Sequence, residues 1–545
     1  MRIWRSPYFL LVLVFLLAVI IRSYRFGSIP SGVNRDEASI GYTAYLLLHT
    51  GQEEHQQFWP ARFESFGDWK QPGYIYLTMP LIWLFGLSAI SVRLLSLTAG
   101  MVMIMVAYLL TNQLAGQPYG RWAGVLAALL MALNPWHFHF SHLAVEALVS
   151  ATWFYSGIYL LIMPTLRRQL LGLGALLGSM LTYHAALIVV PLWFIWFVVS
   201  MRKKRVSWMV KLLWIAFGII TVIWLSQAWF SSERAKVTGT TIFSMTSAEK
   251  WQAIYQYRSG AVISKITNNQ YLYWVKTFTS NYAKTWSPQF LFFQGGSHPH
   301  YNVPGYGNFW IIEIILLSIG LIWVIKKRSR LGWWLLVALL LAPIPAAITK
   351  DGVHSTREIF MLPAIQILAA AGAMFLIKKS GSTKKRAAVM LTIMLALLIQ
   401  AVPFYRYYWS DYPVLSDERF SGYMKEVSLY TKNQLDKYPS IYVTYPFESP
   451  YMFYAFYNQL NPKEFLESVS YFPTDQLGFK YAKSLGKIEY LANNRDLLNL
   501  PADQLAPALV FSRIEAGQGI KPVKIWYNRA GRPEIMAFEG SQMKR

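Results

Sequence analysis

The chain has 545 residues and is 54% hydrophobic, 16% aromatic and only 14% charged, where an ordinary soluble chain carries about 25% charge. It contains no cysteine, which excludes disulfides and thiol catalysis. The net charge of +24 comes from 51 Lys and Arg against 27 Asp and Glu. In a soluble protein that excess would suggest nucleic acid. Here the cations lie in short acid-free clusters between apolar runs, which is a topology signal, and nucleic acid is not an expected partner.

The N-terminal stretch "MRIWRSPYFLLVLVFLLAVIIRSYRF" has the charge and apolar run of a signal peptide but no small-residue cleavage site. Further spans follow it, so it reads as an uncleaved first helix. Apolar segments then recur at 73–90, 94–114, 122–135, 143–163, 169–183, 185–201, 208–228, 309–325, 331–348, 359–377 and 387–403. This is the pattern of a polytopic helical membrane protein. Basic clusters at Arg2 and Arg5, Arg121, Arg167 and Arg168, 202–205, 326–330 and 378–386 all fall on the cytoplasmic side only if 73–90 does not cross. That segment holds Pro80 and many aromatics, as an interfacial or re-entrant helix would. Eleven spans remain, with the N-terminus inside and the C-terminus outside.

The outer face then receives the loops 24–92 and 229–308, the turn 348–360 and the C-terminal segment 404–545. The expected division is a transmembrane domain over 1–403 and an extracytoplasmic domain over 404–545. In the latter, a helical stretch at 419–436 precedes the strand "SIYVTY". "PYMFYAFYNQL" reads as a helix, and "GKIEYLA", "ALVFSRI" and "VKIWYN" read as strands. The sum is a small α/β domain.

Candidate chemistry lies at the outer helix ends. Asp36 and Glu37 open "NRDEASIGYTAYLLL". They suit a helix N-terminus, and two adjacent carboxylates also perturb each other and supply a general base. Lys70 precedes Pro72 and the interfacial segment, either as a snorkelling cation or at the depth of a lipid phosphate. "NPWHFHFSHLAVEAL" carries His137, His139 and His142, which serve as interfacial belt residues or as metal ligands. Glu146 lies about one turn into an apolar span, where an acid is a functional candidate. "TYHAALIVVP" adds Tyr183 and His184, and the long loop adds Arg234, His298 and His300. "ITKDGVHSTREIF" groups Lys350, Asp351, His354, Arg357 and Glu358. Arg357 and Glu358 form a capping pair, or Arg357 clamps a phosphate. Carboxylates and cations on one membrane face suit a lipid-phosphate donor and an acceptor hydroxyl.

The stretches "NRDEASIGYTAY", "ESFGDWKQPGYIYLTMP", "GLSAISVRLLSLTAG", "NPWHFHFSHLAVEAL", "TYHAALIVVPL" and "APIPAAITKDGVHSTREIFMLP", in this order, resemble the GT-C membrane glycosyltransferases. The chain looks most like bacterial members of glycosyltransferase family 39, the protein O-mannosyltransferase-like group. It is more distantly similar to the aminoarabinose transferases that modify lipid A. The resemblance implies a mainly α fold: a GT-C helical core with outer juxtamembrane helices. It makes Asp36 the catalytic carboxylate, Glu37 its partner, and Glu146 the acid after the third span. It sets Lys70 and Arg357 near the donor phosphate; His142, Tyr183, His184, Arg234, His300 and His354, read from their places on the outer face, are expected as further substrate contacts. In the family an arginine often follows the serine of the "HFS" turn; here it is His142. Two prolines often follow the lysine; here the sequence is "KQPG". The C-terminal domain is not the β-trefoil of eukaryotic protein mannosyltransferases.

The expected function is an inverting hexosyl- or pentosyltransferase. It would use a polyprenyl-phosphate sugar and an acceptor hydroxyl on protein, lipid or cell-envelope glycan, at the outer face of the cytoplasmic membrane. The sequence leaves a divalent metal open. A flippase or solute transporter is the alternative, although transporters place polar sites at midplane and show repeated halves.

Overall fold

The structure, a computed structural model, describes residues 6–230, 240–257, 262–444, 449–475, 479–492, 496–497, 499–513 and 520–543. Its contacts divide the chain into two units. The first comprises Met1–Tyr24, Ser96–Ser141 and Val145–Tyr405; the second comprises Arg25–Leu95, His142–Ala144 and Arg406–Arg545.

The first unit is helical. Each of the eleven expected spans contains a helix. By length and composition, five helices among the described residues can cross a membrane: Ala89–Ala115, Trp208–Gln227, Arg330–Ala347, Met361–Lys379 and Thr383–Ser410. The other six have 14 to 17 residues, or about 21–26 Å at 1.5 Å per residue. A hydrocarbon core is about 30 Å thick. The molecule is therefore a polytopic membrane protein whose supported span count is coarser than eleven.

Small residues set the helix packing. Gly320 in Ile312–Lys327 faces Gly372 in Met361–Lys379. A Cβ on Gly320 would lie 1.9 Å from the Leu368 carbonyl oxygen, and one on Gly372 would lie 2.0 Å from that of Leu316. The two backbones touch, as small residues allow between apolar helices.

A buried arginine ties the first helix, Pro7–Ser23, to the turn after Gly120–Leu133. Arg22 donates to the Ala132 carbonyl at 2.9 Å and lies 2.8 Å from His137 Nδ1. Its guanidinium sits over the Phe138 ring. Asn134 caps this turn by accepting the His137 N–H at 2.8 Å.

The second unit builds two sheets. Strands β1 (Phe63–Ser65) and β2 (Asp68–Lys70) form a hairpin that pairs Phe63 with Lys70. Its two-residue turn has Phe66 at φ 58° and Gly67 at φ 79°, the mirror-image turn that matches strand twist. Pro72 then starts the helix Pro72–Phe85. This 14-residue helix covers the segment kept out of the span count, and its last turn exposes Trp83, Leu84 and Phe85, which suits an interfacial helix.

The larger sheet has seven strands: β3 (Ile441–Val443), β4 (Val469–Tyr471), β5 (Ala482–Leu485), β6 (Ile488–Tyr490), β7 (Leu509–Ser512), β8 (Lys524–Tyr527) and β9 (Pro533–Glu539). Their order is β4-β5-β6-β3-β7-β9-β8. β3 pairs in parallel with β6 and β7 at the centre, and the flanking pairs are antiparallel. All three β3 side chains are buried, as expected for a strand covered on both faces. Four of the strands coincide with those expected. The short polar strands β4 and β5, and β9, which opens on Pro533, carry little strand signal of their own and form by pairing.

The helix expected at 419–436 runs over Met424–Gln434, and a separate helix, Tyr412–Arg419, ends where the expected one begins. The chain breaks at Ser421, with φ 49°, and at Gly422, where a Cβ would meet Asp417 Oδ1 at 2.1 Å. The left-handed Ser421 ends the helical path, and the contact admits only glycine at 422.

Gly372→Ala should destabilise the protein by about 1–3 kcal/mol through overpacking, lowering the melting temperature in detergent. Gly218→Ala, with nothing within 4 Å of its Cβ, should leave the melting temperature unchanged or raise it slightly.

Candidate active site

In the second unit, Asn34 caps the helix Arg35–Thr50. Its Oδ1 accepts the Glu37 N–H at 2.8 Å, and Glu37 Oε2 accepts the Asn34 N–H at 3.1 Å. This capping box fixes the first turn, and with it the directions of Asp36 and Glu37. The two acids diverge. Glu37 is buried against Arg93, with Nε–Oε1 at 2.8 Å and Nη2–Oε2 at 2.7 Å. Its Oε1 also accepts the Ala144 N–H at 2.8 Å. Arg93 donates further to the carbonyls of Gly27, Pro30 and Gly32.

Asp36 takes the other cation. Lys70 Nζ lies 3.1 Å from Asp36 Oδ1; the Lys70 side chain is 9% exposed and that of Asp36 is 42% exposed. Lys70 ends β2, and the tight hairpin turn brings the Phe66 ring to 5.9 Å from its ammonium. The result is a carboxylate open on one side and held on the other by a buried lysine.

Glu53 and Glu54 are further buried acids of this unit. Glu54 accepts the Tyr451 hydroxyl at 3.0 Å and the Tyr471 hydroxyl at 3.3 Å. Burial, reinforced by the charge of Glu53, pushes its carboxyl up to about 8. Burial also raises Glu53 to about 6. His142 is buried, its ring edge-on to Phe26 and Tyr408.

In the first unit, the turn 349–358 gathers a second cluster. Arg357 donates to Thr349 Oγ1 at 2.8 Å and to Asp351 Oδ2 at 3.0 Å. Glu358 does not cap with Arg357, which corrects the pairing suggested by their adjacency. It accepts the His354 N–H and the Thr285 hydroxyl, both at 2.8 Å. Burial pushes its carboxyl up to about 8. His354 Nδ1 meets Thr356 Oγ1 at 2.8 Å. Burial, then Arg357 and His298, push its imidazole down to about 3, so it is neutral. Tyr183 donates to Thr356 Oγ1 at 2.9 Å. Burial raises its phenol to about 12, with Arg357 opposing and Glu146 and Glu358 adding. Lys350 pairs with Glu249 at 2.8 Å.

The remaining candidates scatter. Glu146 is the first residue of Glu146–Leu161, at the favourable end of the helix dipole, rather than a turn inside a span. His137 and His139 are buried and do not serve as belt residues. His137 meets Arg22, and His139 Nε2 lies 3.0 Å from the His300 carbonyl oxygen. The His298 ring lies about 5 Å from those of His300 and His354. Among the described residues, no three His, Cys, Asp or Glu form a metal-binding group. His184 is exposed. Arg234 lies outside the described residues. Arg93 was not singled out from sequence, although an arginine at the mouth of an apolar span is itself a signal.

No family model matches the chain, and no curated protein does. Solved structures do. ArnT from Cupriavidus metallidurans in the apo state is similar at 12% identity and a TM-score of 0.55, with 98% of each chain covered. The same protein bound to undecaprenyl phosphate is similar at 11% identity and a TM-score of 0.52, over 96% of this chain and 97% of that one. The oligosaccharyltransferase of Archaeoglobus fulgidus in the apo form is similar at 14% identity and a TM-score of 0.50, over 83% of this chain and 63% of the other. The likeness is one of fold. It does not single out glycosyltransferase family 39.

Arg93→Ala should cost about 3–5 kcal/mol by leaving Glu37 buried without its cation, while Asp36→Asn should melt within a few degrees of the parent. Thermal unfolding in detergent separates the two. A second measurement concerns pH. Glu54 holds its proton more tightly folded than unfolded, so the folded state binds more protons between about 4.5 and about 8. Stability should therefore fall as pH rises through that window, and Glu54→Gln should flatten the fall.

Proposed function

We propose that this chain is a GT-C-type membrane glycosyltransferase. It moves a sugar, with inversion, from a polyprenyl-phosphate donor to an acceptor hydroxyl at the outer face of the cytoplasmic membrane. The observation that carries the reading is the Asp36–Lys70 pair: a reachable carboxylate beside a buried ammonium. The undecaprenyl phosphate bound by one structural neighbour supports a polyprenyl phosphate as the donor's carrier.

Asp36 takes the proton of the acceptor hydroxyl, and the hydroxyl oxygen attacks the anomeric carbon from the face opposite the phosphate. The bond from that carbon to the phosphate oxygen breaks, and the polyprenyl phosphate leaves with the electron pair. Lys70 has three N–H donors, so pairing with Asp36 leaves capacity for a phosphate oxygen. Arg357, held by Thr349 and Asp351 on its own turn, offers a planar fork for phosphate. Glu37 is a positioning residue. Its oxygens are committed to Arg93 and to backbone N–H groups, so it orients the turn that carries Asp36. Glu146 acts through its charge near Tyr183.

The test uses the purified full chain in detergent with a panel of undecaprenyl-phosphate sugars, with and without chelator. Donor consumption with release of undecaprenyl phosphate is expected without any second compartment, which a transporter would need. Asp36→Asn should lower turnover by at least 100-fold, on the order expected for losing a general base, while the protein stays folded. Unchanged turnover in that variant overturns the assignment.

A further inference from the structure

The second unit contains a groove of about 660 Å³, within the range of roughly 300–1,000 Å³ typical of small-ligand sites. Neither Asp36 nor Lys70 lines it. Its lining includes the aromatic side chains of Tyr423, Tyr457 and Tyr527. Tyr527 projects from β8 and is 54% exposed. Such a side chain presents a flat apolar face together with a hydroxyl.

The charged lining is balanced. Lys425 and Arg529 stand against Asp417 and Glu426, two of each sign, in a chain whose net charge is +24. Asp417 is spent on Arg529: its Oδ2 accepts the Arg529 N–H at 2.9 Å, and its Oδ1 lies 3.4 Å from Nε. A site built for phosphate or another anion would keep cations in excess. Ser88 and Gln459 add neutral polar groups, although the Gln459 amide already donates to the Leu87 carbonyl at 3.2 Å.

Backbone glycine keeps the groove open. Gly32, at φ +77°, lies against Gly422: a Cβ there would sit 2.6 Å from Gly422 Cα. The Gly32 carbonyl accepts Arg93 Nη2 at 2.6 Å. The guanidinium that holds Glu37 therefore also fixes this wall.

Flat amphipathic faces, balanced charge and scattered hydroxyl and amide groups match one ligand chemistry. We propose that the groove binds a neutral saccharide chain, with sugar faces against the tyrosines and hydroxyls toward Glu426, Lys425 and Ser88. This binding does not rest on the transferase reading, because it is measured without turnover.

The experiment is saturation-transfer NMR on the full chain in detergent. The probes are maltotriose, cellotriose, mannotriose and chitotriose, with inorganic phosphate as the anionic competitor. At least one trisaccharide should bind, phosphate should not displace it, and Tyr527→Ala should weaken it at least tenfold. Ser28→Cys introduces a single thiol into a cysteine-free chain at a residue lining the groove. A spin label there should broaden the bound sugar's resonances even if the tyrosine variant fails to fold. The proposal is overturned if no trisaccharide binds, if phosphate displaces it, if a folded Tyr527→Ala binds unchanged, or if the spin label leaves the bound sugar unaffected.

Discussion

The second unit depends on one buried ion pair, Glu37 with Arg93. Removing both charges from water is costly, and the pair is tolerated only where every remaining hydrogen-bonding site is filled. Here they are filled. A guanidinium has five N–H donors, and Arg93 makes five acceptor contacts: two to Glu37 and one each to the carbonyls of Gly27, Pro30 and Gly32. A carboxylate has about four lone-pair sites. Glu37 receives two from Arg93, one from Asn34 and one from Ala144. One network thus joins the loop 27–32, a helix start, the short segment 142–144 and the residue just before a long apolar run. Asp36 points outward because its neighbour is fixed inward.

The acids of the two units are sorted by what surrounds them. Glu37 is buried but matched by a cation. Glu54 and Glu358 are buried with hydroxyl and N–H donors in place of a bonded cation, and both carboxyls rise to about 8. They hold protons at neutral pH and act as hydrogen-bonding members of the packing. Asp36 differs from all three in keeping a large exposed fraction while its cation is buried. A proton acceptor for an incoming hydroxyl needs that asymmetry: reach on one side, a fixed charge on the other.

Local features were legible in the sequence, and tertiary ones were not. Long apolar runs announced helices because hydropathy is a property of neighbours in the chain. The capping box was visible as acids at a helix start. Arg93 was hidden because it flanks an apolar run and its partner lies 56 residues away. The alternating histidines misled for a geometric reason. Residues two apart in a helix point about 200° apart, so His137 and His139 reach different partners, Arg22 and the His300 carbonyl. Arg357 and Glu358, adjacent in sequence, diverge in the same way. The break at 420–423 turns on the left-handed backbone of Ser421, a conformation that its residue type does not announce. The first outer loop and most of the C-terminal segment fall in one contact unit, although more than 300 residues separate them.

Each candidate phosphate-binding cation rests on an aspartate of its own unit. Lys70 sits on Asp36 in one unit, and Arg357 sits on Asp351 in the other. Both aspartates are substantially exposed, at 42% and 62%, but Lys70 is buried, and a buried cation is costly to leave without a counter-charge. Lys70 can therefore give up the carboxylate only to another anion, such as a phosphate. In the proposed reaction the exchange has a consequence for Asp36. A phosphate that draws Lys70 toward itself loosens the carboxylate from its cation and raises its affinity for a proton. Donor binding would then prepare the base for the acceptor hydroxyl, with one counter-charge of Lys70 exchanged for another.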